Sequence, residues 1–378
     1  MRAVSTINRF ILPGLAFKAV VIGGGYATGR ELVEFFMPSG PAGGLYGMLL
    51  AMGVWSLVCT LTFLLAFKAR ALDYQGFFQV LLGKFGVVFE VAYFADLILI
   101  LSVFGSAAGA IGAAVLGLPL IAGTLALILL VLLVCAAGQG AAEAVFKYVS
   151  VLLYGVYAIF VALTLWSFSP DIAAGFAKPI PTTGWVAGGL TYASYNVMGA
   201  VLILPVLRHL KTERDAVISG LLAGPLAMVP AIAFFVCLVA FYPAVLSEPL
   251  PSDYVLRALG QPVFHYLFQA MVFFALLECS VGFVQAFNAR VEKFYTRRGR
   301  AMPNALRVAV PAVITFGSVF IASSIGLVEL IAKGYRIMAL GVVVIFLLPL
   351  FTIGVAKLLG MRGQRVPEEP AGELVTPN

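Results

Sequence analysis

Apolar stretches of about 20 residues recur along nearly the whole chain, each long enough to cross a hydrocarbon core of roughly 30 Å as one helix. Of 378 residues, 62% are hydrophobic and 11% charged, with a mean hydropathy of +1.05; an ordinary soluble domain carries about 25% charged residues. Water is therefore not the main solvent. The first apolar segment follows Arg2 and Arg9, as the core of a signal peptide would, but it runs on to Met37 and contains Arg30, Glu31 and Glu34. Without a small-residue cleavage site it reads as a retained first helix.

Apolar windows bounded by Gly, Pro and charge place helices at about 11 to 37, 44 to 67, 85 to 116, 119 to 137, 144 to 168, 184 to 207, 215 to 241, 263 to 290, 305 to 324 and 327 to 357. The expected architecture is an all-α integral membrane protein of about ten transmembrane helices. The net charge of +7 is distributed by loop. With the N-terminus inside, one set of loops holds Lys68, Arg70, Lys84, Lys147, Arg208, Lys211, Arg214 and the run from Arg290 to Arg307, while the other set holds little beyond Lys178 and Arg257. Basic residues stay on the cytoplasmic side, so both termini of this multi-pass protein of the cytoplasmic (inner) membrane are expected there, and nucleic acid is not an expected partner. Residues 361–378, with Pro367, Glu368, Glu369 and Pro370, read as a disordered cytoplasmic tail, with no catalytic domain appended. Cys59, Cys135, Cys237 and Cys279 lie in separate apolar segments without metal-ligand spacing and read as packing residues; no metal or cofactor is expected.

Glycine placement divides the ten helices into two fives, about 11–168 and 184–357, within a single transmembrane domain. Gly23, Gly24 and Gly25 interrupt helix one, and Gly188 and Gly189, followed by Thr191 to Asn196, interrupt helix six. Three consecutive glycines weaken a helix more than close packing requires. Paired breaks at corresponding positions free carbonyls and helix ends at the midplane, where transporters built from inverted repeats bind substrate and ions. Gly105, Gly109 and Gly112 of helix three read as packing glycines.

The stretch Gly23-Gly24-Gly25-Tyr26-Ala27-Thr28-Gly29-Arg30-Glu31, with Tyr192-Ala193-Ser194-Tyr195-Asn196, resembles the YkvI-type family of uncharacterised bacterial membrane proteins. That family looks like a branch of the amino acid, polyamine and organocation superfamily, whose members share the LeuT fold. The resemblance implies a five-plus-five inverted repeat, a substrate site between helices one, three, six and eight, and alternating access. In sodium-coupled members of the wider fold, helix eight supplies two adjacent hydroxyls to a sodium site completed by carbonyls at the helix-one break. This chain has Cys279-Ser280 there, so one hydroxyl is missing.

Ionisable groups at membrane depth cost several kcal/mol, so they face cavities, pair or carry ions. At about 1.5 Å per residue, Asp96, about eleven residues into helix three, and Glu278, about fifteen into helix eight, fall roughly 16 to 22 Å deep, near the midplane. Glu90 is nearer an interface. The expected substrate site is Gly23, Gly24, Gly25, Tyr26, Ala27 and Thr28 of helix one, Tyr93 and Asp96 of helix three, and Thr191, Tyr192, Ser194, Tyr195 and Asn196 of helix six. Its carboxylate would be taken by amides near Tyr26 and Ala27. Glu278, Ser280 and the Gly23 carbonyl form the expected coupling-ion site, for a proton or sodium. Arg30 and Glu34, four apart, are placed for a local ion pair; Arg30 and Glu329 are the expected gate, and Lys333 and Arg336 are alternatives facing the pathway.

The leading function is a secondary active transporter of a small polar organic solute, an amino acid or related carboxylate, with that solute and membrane lipid as its partners. A transporter-like sensor or channel is the alternative. A membrane enzyme is disfavoured because H-E-x-x-H, G-x-S-x-G and a phosphate loop are all missing, and His209 and His265 fall at opposite faces.

Overall fold

The computed structural model describes residues 9–21, 24–296, 298–300 and 302–361, and all regular structure among them is helical. Among the described residues, seven helices are long and apolar enough to cross a membrane: Met37–Ala69, Tyr74–Leu116, Leu120–Ala137, Leu152–Ala177, Glu213–Val239, Pro262–Thr296 and Leu327–Gly360. With Asn304–Ile325 and two interrupted helices, one (Leu12–Val21, Gly24–Ala27, Arg30–Phe35) and six (Trp185–Asn196, Met198–Leu202, Leu204–His209), they give the ten segments in the expected order. Residues 362–378 of the expected tail lie outside the described residues.

Large apolar side chains such as Leu116, Leu129, Trp166, Phe320, Ile337 and Val344 point outward. A soluble monomer rarely exposes so much apolar surface, whereas hydrocarbon is the matching solvent for it. The interior is aromatic: Phe17, Trp55, Phe63, Tyr192 and Phe234 are fully buried. Helices two (Gly40–Ala69) and seven (Glu213–Val239), which hold the same position in the two expected halves, pack directly: Gly220 meets the Thr60 backbone, and Gly224 meets the Met52 carbonyl. Helix five (Gln139–Ala177) runs past its expected end at 168. It kinks at Phe168 (φ −124°, ψ 22°), just before Pro170, whose ring removes a backbone donor. Two loop helices were not expected: Tyr74–Leu82, capped by Asp73 accepting from the Gly76 amide at 2.9 Å, and Pro251–Leu259.

The expected break of helix six at Gly188 and Gly189 is corrected by the structure. Both residues are helical, and other backbones pack closely against them. A Cβ on Gly188 would stand 2.0 Å from the Phe35 carbonyl oxygen, and one on Gly189 2.6 Å from that of Gly47. Regular helix is instead lost further on, at Val197 (φ −65°, ψ −14°) and Ile203 (φ −93°, ψ 5°), after which Pro205 opens a tight turn. In helix one, the left-handed residue is Gly29 (φ 80°), following the single turn Gly24–Ala27. The packing reading of the helix-three glycines holds: a Cβ on Gly109 would lie 2.5 Å from the Leu120 carbonyl oxygen of helix four.

These contacts set a stability test. Gly188→Ala overpacks the helix one–helix six contact and is expected to cost about 3 kcal/mol or more. Gly53→Ala, with nothing within 4 Å of the new methyl, should stabilise helix two by about 0.5–1 kcal/mol. Thermal unfolding of the two variants in detergent checks both signs, and a Gly188→Ala protein as stable as its parent would show that the helices separate freely there.

Candidate functional site

Between helices one, three (Gly86–Leu116), six, eight (Pro262–Thr296) and ten (Leu327–Gly360) lies a cavity of about 50 Å³. Its polar lining is Glu31, Asp96, Tyr195, Asn196 and Tyr335. Val21, Phe104, Met198 and Phe283 contribute apolar wall. The Tyr195 hydroxyl donates to Glu31 Oε2 at 2.7 Å, and its ring stacks obliquely on Tyr335, with centroids 4.6 Å apart. Asn196 Nδ2 donates to the Tyr192 carbonyl at 3.0 Å. Asp96 is 5% exposed, and its Oδ1 meets no hydrogen-bond partner among the described residues.

On one side of this cavity the molecule is closed by the connection between helices seven and eight. Arg30, buried on helix one, donates to the carbonyls of Leu246 at 2.9 Å and Glu248 at 3.1 Å and to Glu34 Oε2 at 2.7 Å. Arg336 of helix ten reaches the other Glu34 oxygen at 3.3 Å. The loop helix Pro251–Leu259 comes down onto the turn in helix one, where the Ser252 amide donates to the Thr28 carbonyl at 3.0 Å. Asp253 then ties the loop to helix eight through His265 at 2.6 Å and Gln269 at 2.9 Å. One guanidinium and one backbone hydrogen bond thus join the loop to helix one at the point where it turns.

Towards the N-terminal face a second cavity, of about 330 Å³, opens between helices one, three, five and eight. Lys18, Tyr93, Tyr154 and Glu278 line it, and its walls share Val20, Leu202 and Phe283 with the central cavity. The Lys18 ammonium lies 3.8 Å from the Tyr154 ring centroid. The Arg290 guanidinium covers Tyr93 at 3.3 Å and Tyr74 at 4.3 Å; such contacts are worth about 2 kcal/mol when desolvated.

The structure brings three of the expected substrate residues together: Asp96, Tyr195 and Asn196. Gly23 lies outside the described residues, and Gly24 and Gly25 belong to a helical turn. Tyr26 and Ala27 face a cavity against helices five and seven instead, with the Tyr26 hydroxyl 2.8 Å from that of Tyr157. Thr28 serves the loop contact, Tyr93 lines the second cavity, and Tyr192 packs among Phe36, Trp55 and Tyr195. Thr191 is half-buried, and the Ser194 hydroxyl returns to the Leu190 carbonyl at 2.7 Å. Glu278 and Ser280 do not meet. Two residues apart on a helix they point about 200° away from each other, Glu278 into the second cavity and Ser280 into packed interior, 1% exposed. Arg30 and Glu329 form no pair either: Arg30 holds Glu34 and the loop, while Glu329 pairs with Lys333.

Sequence reasoning passed over Glu31 and Tyr335. Glu31 follows Arg30 directly, and a helical step of about 100° turns the two side chains onto different faces, one towards the loop and one towards the cavity. Tyr335 lies between Lys333 and Arg336, just past a widened π turn, Leu330–Gly334, of the kind often found at functional sites.

No family profile matches the chain. It is 26% identical over 326 residues to YkvI of Bacillus subtilis, an uncharacterised membrane protein, covering 85% of this chain and 90% of that one. Among solved structures it superposes on MhsT in complex with L-phenylalanine with a TM-score of 0.60, at 15% identity over 92% of this chain and 96% of MhsT. A manganese transporter of Eremococcus coleocola gives 0.55 at 13% identity, over 91% and 78%. The chain has the LeuT fold, which these structures share.

Arg30 sets a test of the closed side. Arg30→Gln removes the charge from three hydrogen bonds, charge-assisted ones being worth roughly 1.5–3 kcal/mol each. In a background without the native cysteines, Asn196→Cys should then react with an impermeant thiol reagent from the loop side at least about tenfold faster, the effect of some 1.4 kcal/mol. Unchanged reactivity would show that something other than Arg30 holds the loop.

Proposed function

We propose that the chain is a secondary active transporter that moves a small polar organic solute, of amino acid size, across the cytoplasmic membrane by alternating access. The observation that carries this reading is the central cavity. It sits where helix one turns and beside the point where helix six loses its ladder, with buried polar groups that hydrocarbon would penalise by several kcal/mol each unless they served a polar guest. One side is tied shut by Arg30 and Ser252, and a second cavity adjoins on the other. That is the asymmetry an alternating-access cycle needs in one of its states. MhsT, solved with L-phenylalanine, supports a solute of that size. In this reading the loop-charge asymmetry puts both termini, and the second cavity, on the cytoplasmic side.

Coupling is proposed to a proton or sodium gradient in symport, with Glu278, which lines the same inner cavity as Lys18, as the group that senses the ion. Reconstituted protein, preloaded with unlabelled solute, should show transient accumulation of labelled solute by counterflow, which a channel cannot produce. Glu278→Gln should keep that exchange and lose gradient-driven accumulation. Equilibration without counterflow would contradict the transporter reading, and full accumulation by Glu278→Gln would remove Glu278 from coupling.

A further inference from the structure

We propose that a cleft between helices three and ten binds one acyl chain of a bilayer phospholipid, and that this acyl chain supplies the wall the protein lacks on that side of the central cavity. The proposal concerns the surface that faces the bilayer and stands whatever solute the central cavity takes.

The cleft has a volume of about 400 Å³. Ala92, Ala95 and Leu99 of helix three form one side, and Ile337, Gly341 and Ile345 of helix ten the other. It is bounded at both ends. A Cβ on Gly334 would stand 2.6 Å from Leu99 Cδ1, so the two helices already touch there. At the opposite end Phe78 stacks on Phe89 with centroids 3.8 Å apart and meets Phe346 edge-on at 5.8 Å. Between these ends the facing residues are too small to close the gap: a Cβ on Gly341 would meet nothing within 4 Å among the described residues. Widened π turns, Leu330–Gly334 and Val343–Leu347, lie towards either end of the helix-ten wall.

The mouth and the lining identify the occupant. Ala95 and Ile337, on opposite rims, are exposed, as are Val91, Leu340 and Val344 beside them, so the cleft opens onto hydrocarbon. Asp96 is the one polar side chain on the lining. A water needs about two to four polar partners to settle in a cavity, whereas apolar cavities stay dry and take apolar guests. An empty cleft would deprive its walls of dispersion contacts. The apolar molecule that is solvent at this mouth is the lipid acyl chain.

The floor gives the site its consequence. Asp96, Met198 and Met338 line the cleft and the central cavity alike, so the same three side chains stand between them. Asp96 is 5% exposed, and its Oδ1 meets no hydrogen-bond partner among the described residues. An acyl chain in the cleft keeps water from that carboxyl on the bilayer side and confines its polar approach to the central cavity.

The experiment reconstitutes the full-length protein in vesicles of phosphatidylethanolamine and phosphatidylglycerol with a trace of phosphatidylcholine that carries a photoactivatable diazirine at the end of one acyl chain. After illumination, adducts are mapped by peptide mass spectrometry. Adducts on Ala92, Ala95 and Gly341 are expected at a yield at least about threefold above that on Leu129, a residue exposed near the middle of helix four. Gly341→Leu fills the gap from helix ten and Ala95→Leu from helix three, and each should lower the adducts on Ala92 at least about threefold while leaving Leu129 unchanged. The comparison in the unaltered protein requires neither variant to fold. Cleft adducts no more abundant than those on Leu129, or Ala92 adducts at full yield in both variants, would overturn the proposal. So would rapid reaction of Gly341→Cys, in a background without the native cysteines, with a water-soluble maleimide, because a cleft filled by hydrocarbon admits no such reagent. Counterflow is measured separately, so failure of the transport reading would leave the lipid site standing, and failure of the lipid site would leave the transport reading standing.

Discussion

A helix inside a bilayer can leave its hydrogen-bond ladder only where something polar takes over the released groups, since hydrocarbon offers no partner. In this chain that constraint falls on the turn at Thr28 and Gly29. The Thr28 carbonyl is taken by the Ser252 amide, the Arg30 amide by the Thr28 hydroxyl at 3.2 Å, and the Gly29 amide by the Tyr26 carbonyl at 2.9 Å. The turn in helix one and the loop between helices seven and eight therefore stabilise each other. Because the turn points Glu31 inwards and Arg30 towards the loop, the same few residues shape the cavity and close one side of it.

Two cavities with different charge follow from this arrangement. The central one presents carboxylates, and the one beside it holds Lys18 and Glu278. They share the apolar side chains of Val20, Leu202 and Phe283, so movement of the first half of helix one, Leu12–Val21, would change both. That shared wall is a physical route by which occupancy of one cavity would bias the other, as coupling between solute and ion requires.

The spans were legible because each is a long apolar run, and their ends agree with the observed helices to within a few residues except in helix five, where the chain continues past a proline kink, and helix eight, which runs on from the expected 290 to Thr296. Asp96, Tyr195 and Asn196 were legible because polar groups at membrane depth have few other uses. Gly188 and Gly189 misled because glycine has two meanings in a membrane helix, interruption and close approach, and only the partner backbone at Phe35 and Gly47 tells them apart. Glu31 was hidden by Arg30, since adjacent charges in sequence read as one polar patch while the helix turns them onto different faces. The separation of Glu278 from Ser280 has the same origin, and the tie between Thr28 and Ser252 spans too much sequence for any local pattern to reveal.

In the proposed transport cycle, solute binds where helix one turns inward, against Glu31, Asp96 and Asn196. A structure determined by electron cryomicroscopy with a solute that the protein demonstrably accumulates tests this most directly. Solute density is expected within hydrogen-bond distance of the Glu31 and Asp96 carboxylates. Density confined to the Lys18–Glu278 cavity, or to the lipid-facing surface, would contradict it.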